Sequence, residues 1–227
     1  MAMTIGRRAG TKTQHEIEQE RRAAAKKRDF VPRLIRMCWT LVFAAIMAGL
    51  SAICLGLVDA GQELDASLSH LEYDVASLKD AAGSAIDRKG AADAMTAPQA
   101  RLQRALETFP ANADRIIGEK TPEWCRPAAK FAADLINLVP NAETLDRAFK
   151  EYVEQVSQAM ADKAPTPGAV ELRNRLLDLK YETLLNKISD ARERTRQGIN
   201  HALTGMQVIT LASIGFAALF VGLSRHY

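Results

Sequence analysis

The sequence predicts an all-α protein that crosses a membrane twice and carries an antiparallel helical bundle outside it. Three observations support this prediction: two long uncharged apolar runs, apolar residues spaced three or four apart between them, and no persuasive strand pattern. We expect the first and last long helices of the bundle to continue into the transmembrane helices. With 48% hydrophobic and 25% charged residues, the chain is too apolar for a disordered protein.

The two uncharged runs are residues 37–58 and 202–224. At about 1.5 Å per residue the first run covers about 33 Å, which is enough to cross a hydrocarbon core of about 30 Å. A buried core helix is the alternative for each run. A cleaved signal peptide fits the first run poorly, because 36 residues precede it. Neither run contains Asp, Glu, Lys, Arg or His, which argues against an ion path or a proton relay.

The distribution of basic residues predicts the topology. Residues 1–36 contain ten basic and four acidic residues, a net charge of +6, whereas residues 59–201 contain 19 basic and 23 acidic residues, a net charge of −4. The positive-inside rule then puts both termini in the cytoplasm, with the reverse topology as the alternative. We therefore expect a protein integral to the cytoplasmic (inner) membrane and divided as follows: a cytoplasmic basic tail (1–32), a juxtamembrane turn and first transmembrane helix (33–58), an extracytoplasmic helical domain (59–201), a second transmembrane helix (202–224) and a short cytoplasmic end (225–227).

A basic cluster lies next to the first run. Between residues 21 and 36 there are seven basic residues and one acid, Asp29. A juxtamembrane cluster of this kind binds anionic lipid headgroups, at about 1 kcal/mol per base, or serves only to set the topology. We expect no nucleic-acid partner, because the tail holds a single aromatic residue and no recognisable motif. The cluster consists of Arg21, Arg22, Lys26, Lys27, Arg28, Arg33 and Arg36.

Two rows of apolar residues with heptad-like spacing form a predicted helix-packing seam. One follows the first run on a helix expected over about 33–87, and the other precedes the second run on a helix expected over about 169–224. Small residues replace large ones in the second row between Ala191 and Gly205, which predicts a close crossing there. The polar residues 187–196 are interpreted as a solvated face, with partner docking as the alternative. The large seam residues are Leu64, Leu68, Leu71, Val75 and Leu78 in the first row and Leu177, Tyr181, Leu184 and Ile188 in the second.

Seven prolines between residues 98 and 167 divide the middle of the chain into three shorter predicted helices. The first covers 99–109. The second starts at a Thr121 N-cap, extends to about residue 139 and buries its large apolar residues, Phe131, Leu135 and Leu138.

The third of these helices follows an Asn141 N-cap. We expect a linker over 83–97 and a turn over 164–168. The apolar face predicted for the third helix consists of Leu145, Phe149, Tyr152, Val153, Val156 and Met160.

Small residues four apart occur in both runs. They favour close helix packing inside the membrane, or they are ordinary membrane-helix background. The pairs are Ala45 and Gly49, Ala52 and Gly56, Ser213 and Ala217, and Ala218 and Gly222.

The sequence contains no recognisable catalytic pattern. It lacks a phosphate-binding glycine loop, a GxSxG motif and an HExxH motif, and its four histidines are isolated. We therefore expect no enzyme activity, no cofactor and no metal. Cys125 is the one cysteine between the runs, and it is either a buried thiol or an intermolecular thiol that forms a disulfide between copies.

Three functions fit these features. The first is a non-enzymatic membrane interaction or assembly protein, with the lipid bilayer and either a second copy or another membrane protein as partners. The second is a ligand-sensing subunit. The layout of residues 33–224 resembles the sensory half of bacterial chemoreceptors and sensor kinases, although those families continue into a signalling module and this chain stops at Tyr227. The third is a phage lysis or defence effector that acts on the membrane.

Overall fold

The computed structural model describes the backbone of residues 14–87, 92–161 and 166–225, and the side chains of 34–86, 95–161, 166 and 168–222. These ranges are helical and contain no strand, which confirms the predicted all-helical class. A 3-10 turn, Glu123–Cys125, precedes the third helix. The α-helices are α1 (Gln14–Asp87), α2 (Ala92–Lys120), α3 (Arg126–Leu135), α4 (Ala142–Ala161) and α5 (Pro167–Arg225).

Two helices, α1 and α5, are long and apolar enough to cross a membrane. Within their uncharged runs, most of the large apolar side chains are exposed. The exposed large residues of α1 are Met37, Trp39, Leu41, Val42, Ile46, Leu50 and Leu55, and those of α5 are Leu203, Val208, Leu211, Ile214, Leu219, Phe220 and Val221.

The chain divides into two compact units, Met1–Ala48 and Gly49–Tyr227. In the first unit, α1 is continuous from Gln14, so the juxtamembrane turn predicted near residue 33 is wrong. The helix passes through Pro32, although a proline in a helix interior removes one backbone hydrogen bond. Within the apolar run, the Thr40 hydroxyl donates to the carbonyl oxygens of Arg36 and Met37 at 3.0 and 2.8 Å.

The second unit begins ten residues before the predicted domain start at residue 59, because the connection after α2 packs on two glycines of α1. A Cβ atom on Gly56 would lie 2.6 Å from Thr121 Cγ2 and 2.7 Å from the Lys120 carbonyl oxygen. The Trp124 ring lies 3.0 Å from the position of a Cβ on Gly49. In this part of α1, the small residues receive a connecting segment of the chain.

Helices α1 and α5 pack against each other in an antiparallel orientation. A Cβ on Gly205 would lie 3.5 Å from Cys54 Sγ, and one on Gly61 would lie 2.4 Å from Ile199 Cγ1. Farther along α1, Lys79 pairs with Asp178 at 3.1 Å. Residues farther along α1 therefore contact residues nearer to the start of α5.

Helix α2 is longer than predicted. It continues through Pro98 and Pro110, whereas the prolines were expected to end it, and α1 and α2 occupy most of the predicted 83–97 linker. A continuous buried face compensates for the backbone hydrogen bonds that the prolines remove. That face consists of Leu102, Leu106, Phe109, Ala113, Ile116 and Ile117.

Helix α3 differs from its prediction in its start and in its buried face. The Thr121 hydroxyl donates to the Ile117 carbonyl oxygen at 2.6 Å, and so it closes α2 instead of capping α3. Ala129 and Ala133 form the buried side of α3, whereas Phe131 and Leu135 are exposed, contrary to expectation. The alanines give α3 a flat side that packs closely, and this turns its large residues outward.

The predicted start of α4 is confirmed. Asn141 Oδ1 accepts a hydrogen bond from the Glu143 backbone N–H at 2.9 Å. The predicted apolar face is also confirmed: Leu145, Phe149, Tyr152 and Val156 are buried, and Val153 and Met160 pack against the core. Of the turn predicted over 164–168, residues 164 and 165 lie outside the described residues, and α5 already begins at Pro167.

The α3–α4 connection inserts Leu138 between α1 and α5. Its side chain lies 3.0 Å from the positions of a Cβ on Gly61 and on Gly198, and it is fully buried. Asn137, just before it, has a φ of 52°, a left-handed conformation that asparagine tolerates better than most residues. The Leu138 carbonyl oxygen accepts a hydrogen bond from the Thr195 hydroxyl at 3.2 Å. The close crossing predicted from the small residues of α5 therefore has Leu138 at its centre.

We predict that Gly56→Ala destabilises the protein by about 1–3 kcal/mol, because the new methyl group would meet the Lys120 backbone, which has no rotamer to change. The measurement is the thermal unfolding midpoint in detergent. Gly83→Ala is the matched control on the same helix. A Cβ at Gly83 meets nothing within 4 Å, so that change should be neutral or stabilise by about 0.5–1 kcal/mol. Equal midpoints for the two variants would contradict the close contact at Gly56.

Candidate functional site

An ion-pair cluster joins α1 to α5 beside the apolar seam. Arg192 contacts Asp65 at 3.1 Å through Nε and Glu72 at 2.6 Å through Nη1. Arg196 contacts the second Asp65 oxygen at 3.3 Å. Hydrogen bonding to Asp65 raises the pKa of Arg192, and the charges of Asp65 and Glu72 act in the same direction.

This cluster changes the interpretation of the 187–196 polar face. The Arg192 and Asp65 side chains are about three-quarters shielded from solvent, so this part of the face is an internal contact between helices. The cluster fixes the rotation of α5 about its axis, because one guanidinium reaches carboxylates that are seven residues apart on α1. Asp190 and Arg194, on other sides of the helix, are exposed as predicted.

The predicted seam residues belong to one buried core, to which α2 and α4 also contribute. Leu184 and Ile188 are fully buried, and Leu177 and Tyr181 pack at the edge of the same core. The seam residues of α1, which are all buried, are Leu64, Leu68, Leu71, Val75 and Leu78.

A cavity of about 250 Å³ opens near the end of α1 and the start of α5. Lys79, Tyr152, Asn174 and Asp178 supply its polar lining. The Lys79 ammonium lies 4.1 Å from the centre of the Tyr181 ring and also pairs with Asp178. Ligand pockets usually measure about 300–1,000 Å³, so this cavity is small for a metabolite site.

No three His, Cys, Asp or Glu residues come close enough to hold a metal ion among the residues that the structure describes. His70 and His201 are both exposed.

The basic cluster lies on α1 in the first unit. Arg21 through Arg33 belong to the helix, and their side chains lie outside the described residues. Arg36 is exposed one residue before the apolar run. All seven residues of the basic cluster belong to α1: Arg21, Arg22, Lys26, Lys27, Arg28, Arg33 and Arg36.

The Cys125 thiol is buried and free, and its sulfur lies 3.3 Å from the Pro122 carbonyl oxygen, to which it donates. A thiol with this little exposure cannot reach a cysteine of another copy without local opening. The structure therefore favours the buried alternative over the intermolecular disulfide.

Two exposed apolar surfaces were not recognised from the sequence. One is the row Leu172, Leu176 and Leu179 near the start of α5, and the other surrounds Phe131 on α3. The four- and three-residue spacing of the leucines is a signal that could have identified the row. Its exposure depends on which side of α5 faces α1 and α4, and spacing does not contain that information.

Tyr152 provides a pH-dependent test of the core beside the cavity. Burial raises the pKa of Tyr152 to about 12, from 10.0, so the folded state holds the phenolic proton more tightly than the unfolded state. Its contribution is fully present below pH 10 and is lost as the pH rises toward 12. Between pH 10 and pH 12, we predict that the free energy of unfolding of Tyr152→Phe falls by about 2 kcal/mol less than that of the wild type. The readout is the unfolding midpoint against pH.

The control is Tyr73→Phe, at an exposed position on α1. This variant should keep the alkaline dependence of the wild type. If the Tyr152→Phe and wild-type curves stayed parallel up to pH 12, the proton would not be held by burial at this position.

The chain matches no protein-family model, and no curated protein and no solved structure is significantly similar to it. The residues that bear on its function are therefore those described above: the two apolar runs, the ion pairs and seam that join α1 to α5, and the exposed apolar surfaces.

Proposed function

We propose that this protein is a non-enzymatic integral membrane protein that presents a helical bundle to a partner outside the cytoplasmic membrane. The observation that carries the proposal is the contrast within each long helix. In α1, Leu64, Leu68 and Val75 are buried, whereas large residues earlier in the same helix, such as Val42 and Leu50, are exposed. Exposed apolar residues on an uncharged helix of this length are typical of a lipid-facing surface.

The contacts between α1 and α5 support an antiparallel bundle that continues into both spans. Cys54 in the first run and Gly205 in the second lie side by side, so the two runs adjoin at their ends. A connection of this kind holds the domain at both of its ends. The basic residues before the first run support cytoplasmic termini, with residues 59–201 on the opposite side.

The surface proposed for the partner is the exposed leucine row of Leu172, Leu176 and Leu179. Its spacing matches one seam of a two-helix contact, so we propose a second copy of the chain as the occupant. A different membrane protein is the alternative partner. A ligand-sensing role ranks below these, because the cavity beside Tyr152 is smaller than usual ligand sites.

The topology predicts that the full-length chain stays in the membrane pellet after an alkaline carbonate wash. A cysteine introduced at the exposed Ser157 should then react in intact cells with a maleimide that does not cross membranes. A cysteine introduced at Ala2 should react only after the cells are permeabilised. Release by carbonate, or labelling of Ala2→Cys in intact cells, would contradict the proposed arrangement.

The interaction surface predicts a crosslink from the leucine row. A photoreactive benzoylphenylalanine in place of Leu176 should yield a covalent dimer in native membranes, because that side chain is exposed within the row. The same residue in place of Glu182, which is exposed on another side of α5, is the control and should yield little dimer. An adduct with a different membrane protein would mean that this protein, and not a second copy, is the partner. A monomer without adducts would contradict the interaction function.

A further inference from the structure

Three large apolar residues of the 3-10 turn and α3 face outward together. Trp124, Phe131 and Leu135 are 72%, 70% and 72% exposed. Phe131 and Leu135 are four residues apart and share one side of α3, and Trp124 lies in the 3-10 turn that leads into this helix. The opposite side, with Ala129 and Ala133, is buried against the rest of the unit. We call these three residues the α3 face.

Trp124, at one end of the α3 face, lies beside the first apolar run. Trp124 rests on Gly49, and Thr121 rests on Gly56. Gly49 precedes the end of the run at Val58 by nine residues, which corresponds to about 13 Å along the axis of α1. Leu50 and Leu55 are exposed on the same stretch of α1. A bilayer that covered these two leucines would therefore also reach the indole of Trp124.

Charged residues limit how deeply this segment can enter lipid. Lys120, at the end of α2, pairs with Glu63 at 3.0 Å, beyond the first charge that follows the run, Asp59. Glu123 and Arg126 flank Trp124, and Glu123 is largely exposed. Because an exposed ionised carboxylate is costly in hydrocarbon, the backbone must stay among the headgroups while the apolar side chains point toward the acyl chains.

The chemistry of the α3 face suits this boundary. Tryptophan has an apolar body and a polar N–H, and it is enriched where membranes meet water. The two bases of α3, Arg126 and Lys130, lie on one flank of the helix, as in amphipathic helices that lie on a membrane surface. Both bases also hold α3 in place. Arg126 Nε donates to the Gly118 carbonyl oxygen at 2.9 Å, and Lys130 donates to Asp114 at 2.8 Å.

From these observations we infer that the 3-10 turn and α3 lie in the headgroup layer of the bilayer, with the α3 face in contact with lipid. The inference rests on the proposed function, which puts residues 37–58 in the membrane. It adds a third point of membrane contact, which fixes the height and the rotation of the domain relative to the lipid surface.

Depth-dependent fluorescence quenching tests this inference on the full chain. The protein contains two tryptophans, so Trp39→Phe leaves Trp124 as the single emitter and Trp124→Phe leaves Trp39. Each variant is reconstituted in liposomes of phosphatidylcholine and phosphatidylglycerol, with the phosphatidylcholine brominated at a shallow or a deep acyl position. We expect the emission of Trp124 to be blue-shifted and to be quenched by both bromolipids, because its ring lies beside Gly49, about 13 Å inside the run.

Two further single-tryptophan variants complete the test, both built on a background of Trp39→Phe and Trp124→Phe. Phe131→Trp places the emitter on α3, in the headgroup layer, and should be quenched more by shallow bromines than by deep ones. Tyr73→Trp is the matched control, since Tyr73 is 75% exposed on α1 and 15 residues beyond the run. Its emission should be red-shifted and insensitive to bromolipid.

The outcomes separate the inference from the proposed function. If bromolipid quenches Trp39 but neither Trp124 nor a tryptophan at residue 131, the chain is inserted and the inference is wrong. A blue-shifted Trp124 that no bromolipid quenches would mean that protein covers the α3 face, which also overturns the inference. If Trp39 itself is not quenched, membrane insertion fails, and the proposed function fails with it.

Discussion

The close contact of α1 with α5 is the constraint on which the other elements depend. Gly61 and Gly198 leave room at one level of this contact, and Leu138 of the α3–α4 connection fills it. Because Leu138 is fully buried there, both the end of α3 and the start of α4 are held next to the long helices. The hydrogen bond from Thr195 to the Leu138 carbonyl oxygen satisfies a backbone group that would otherwise be buried without a partner.

Charge and packing act together along this contact. The Arg192 cluster fixes the rotation of α5 and also its register on α1, since a guanidinium that reaches both Asp65 and Glu72 cannot slide by a turn without losing one of them. An ion pair adds little to the stability of the fold where water screens it fully, and more where it is partly shielded from solvent, as the Arg192 pairs are here. The Lys79 pair with Asp178 repeats the arrangement near the other end of the contact.

Small residues have an unexpected role in the proposed membrane protein. Glycines in a transmembrane helix usually allow a second helix to approach. Here Gly56 accommodates the backbone of Lys120, and Gly49 lies under the Trp124 ring, so α1 receives a connecting segment at these positions. In the proposed topology, this segment brings the helical domain down to the lipid surface. The domain is then held by more than its two ends.

Much of the local structure was predictable from the sequence, because it is encoded by spacing and by single residues. The helical class, the two long apolar helices, the buried faces of α1 and α4 and the Asn141 cap all follow from patterns a few residues long. The passage of α2 through two prolines did not follow, since local propensity opposes it and only a buried face from Leu102 to Ile117 compensates.

The sequence by itself therefore determined the helical class, the two long helices and, within each predicted helix, which residues share a face. Only the tertiary structure decided which faces are covered. Phe131 and Leu135 were expected inside and lie outside, because Ala129 and Ala133 give α3 a closer fit to its neighbours. Arg192 was expected in solvent and lies between two helices. The physical reason is the same in both cases: a helical period identifies a face, but the burial of that face depends on the shapes and charges of elements distant in the chain.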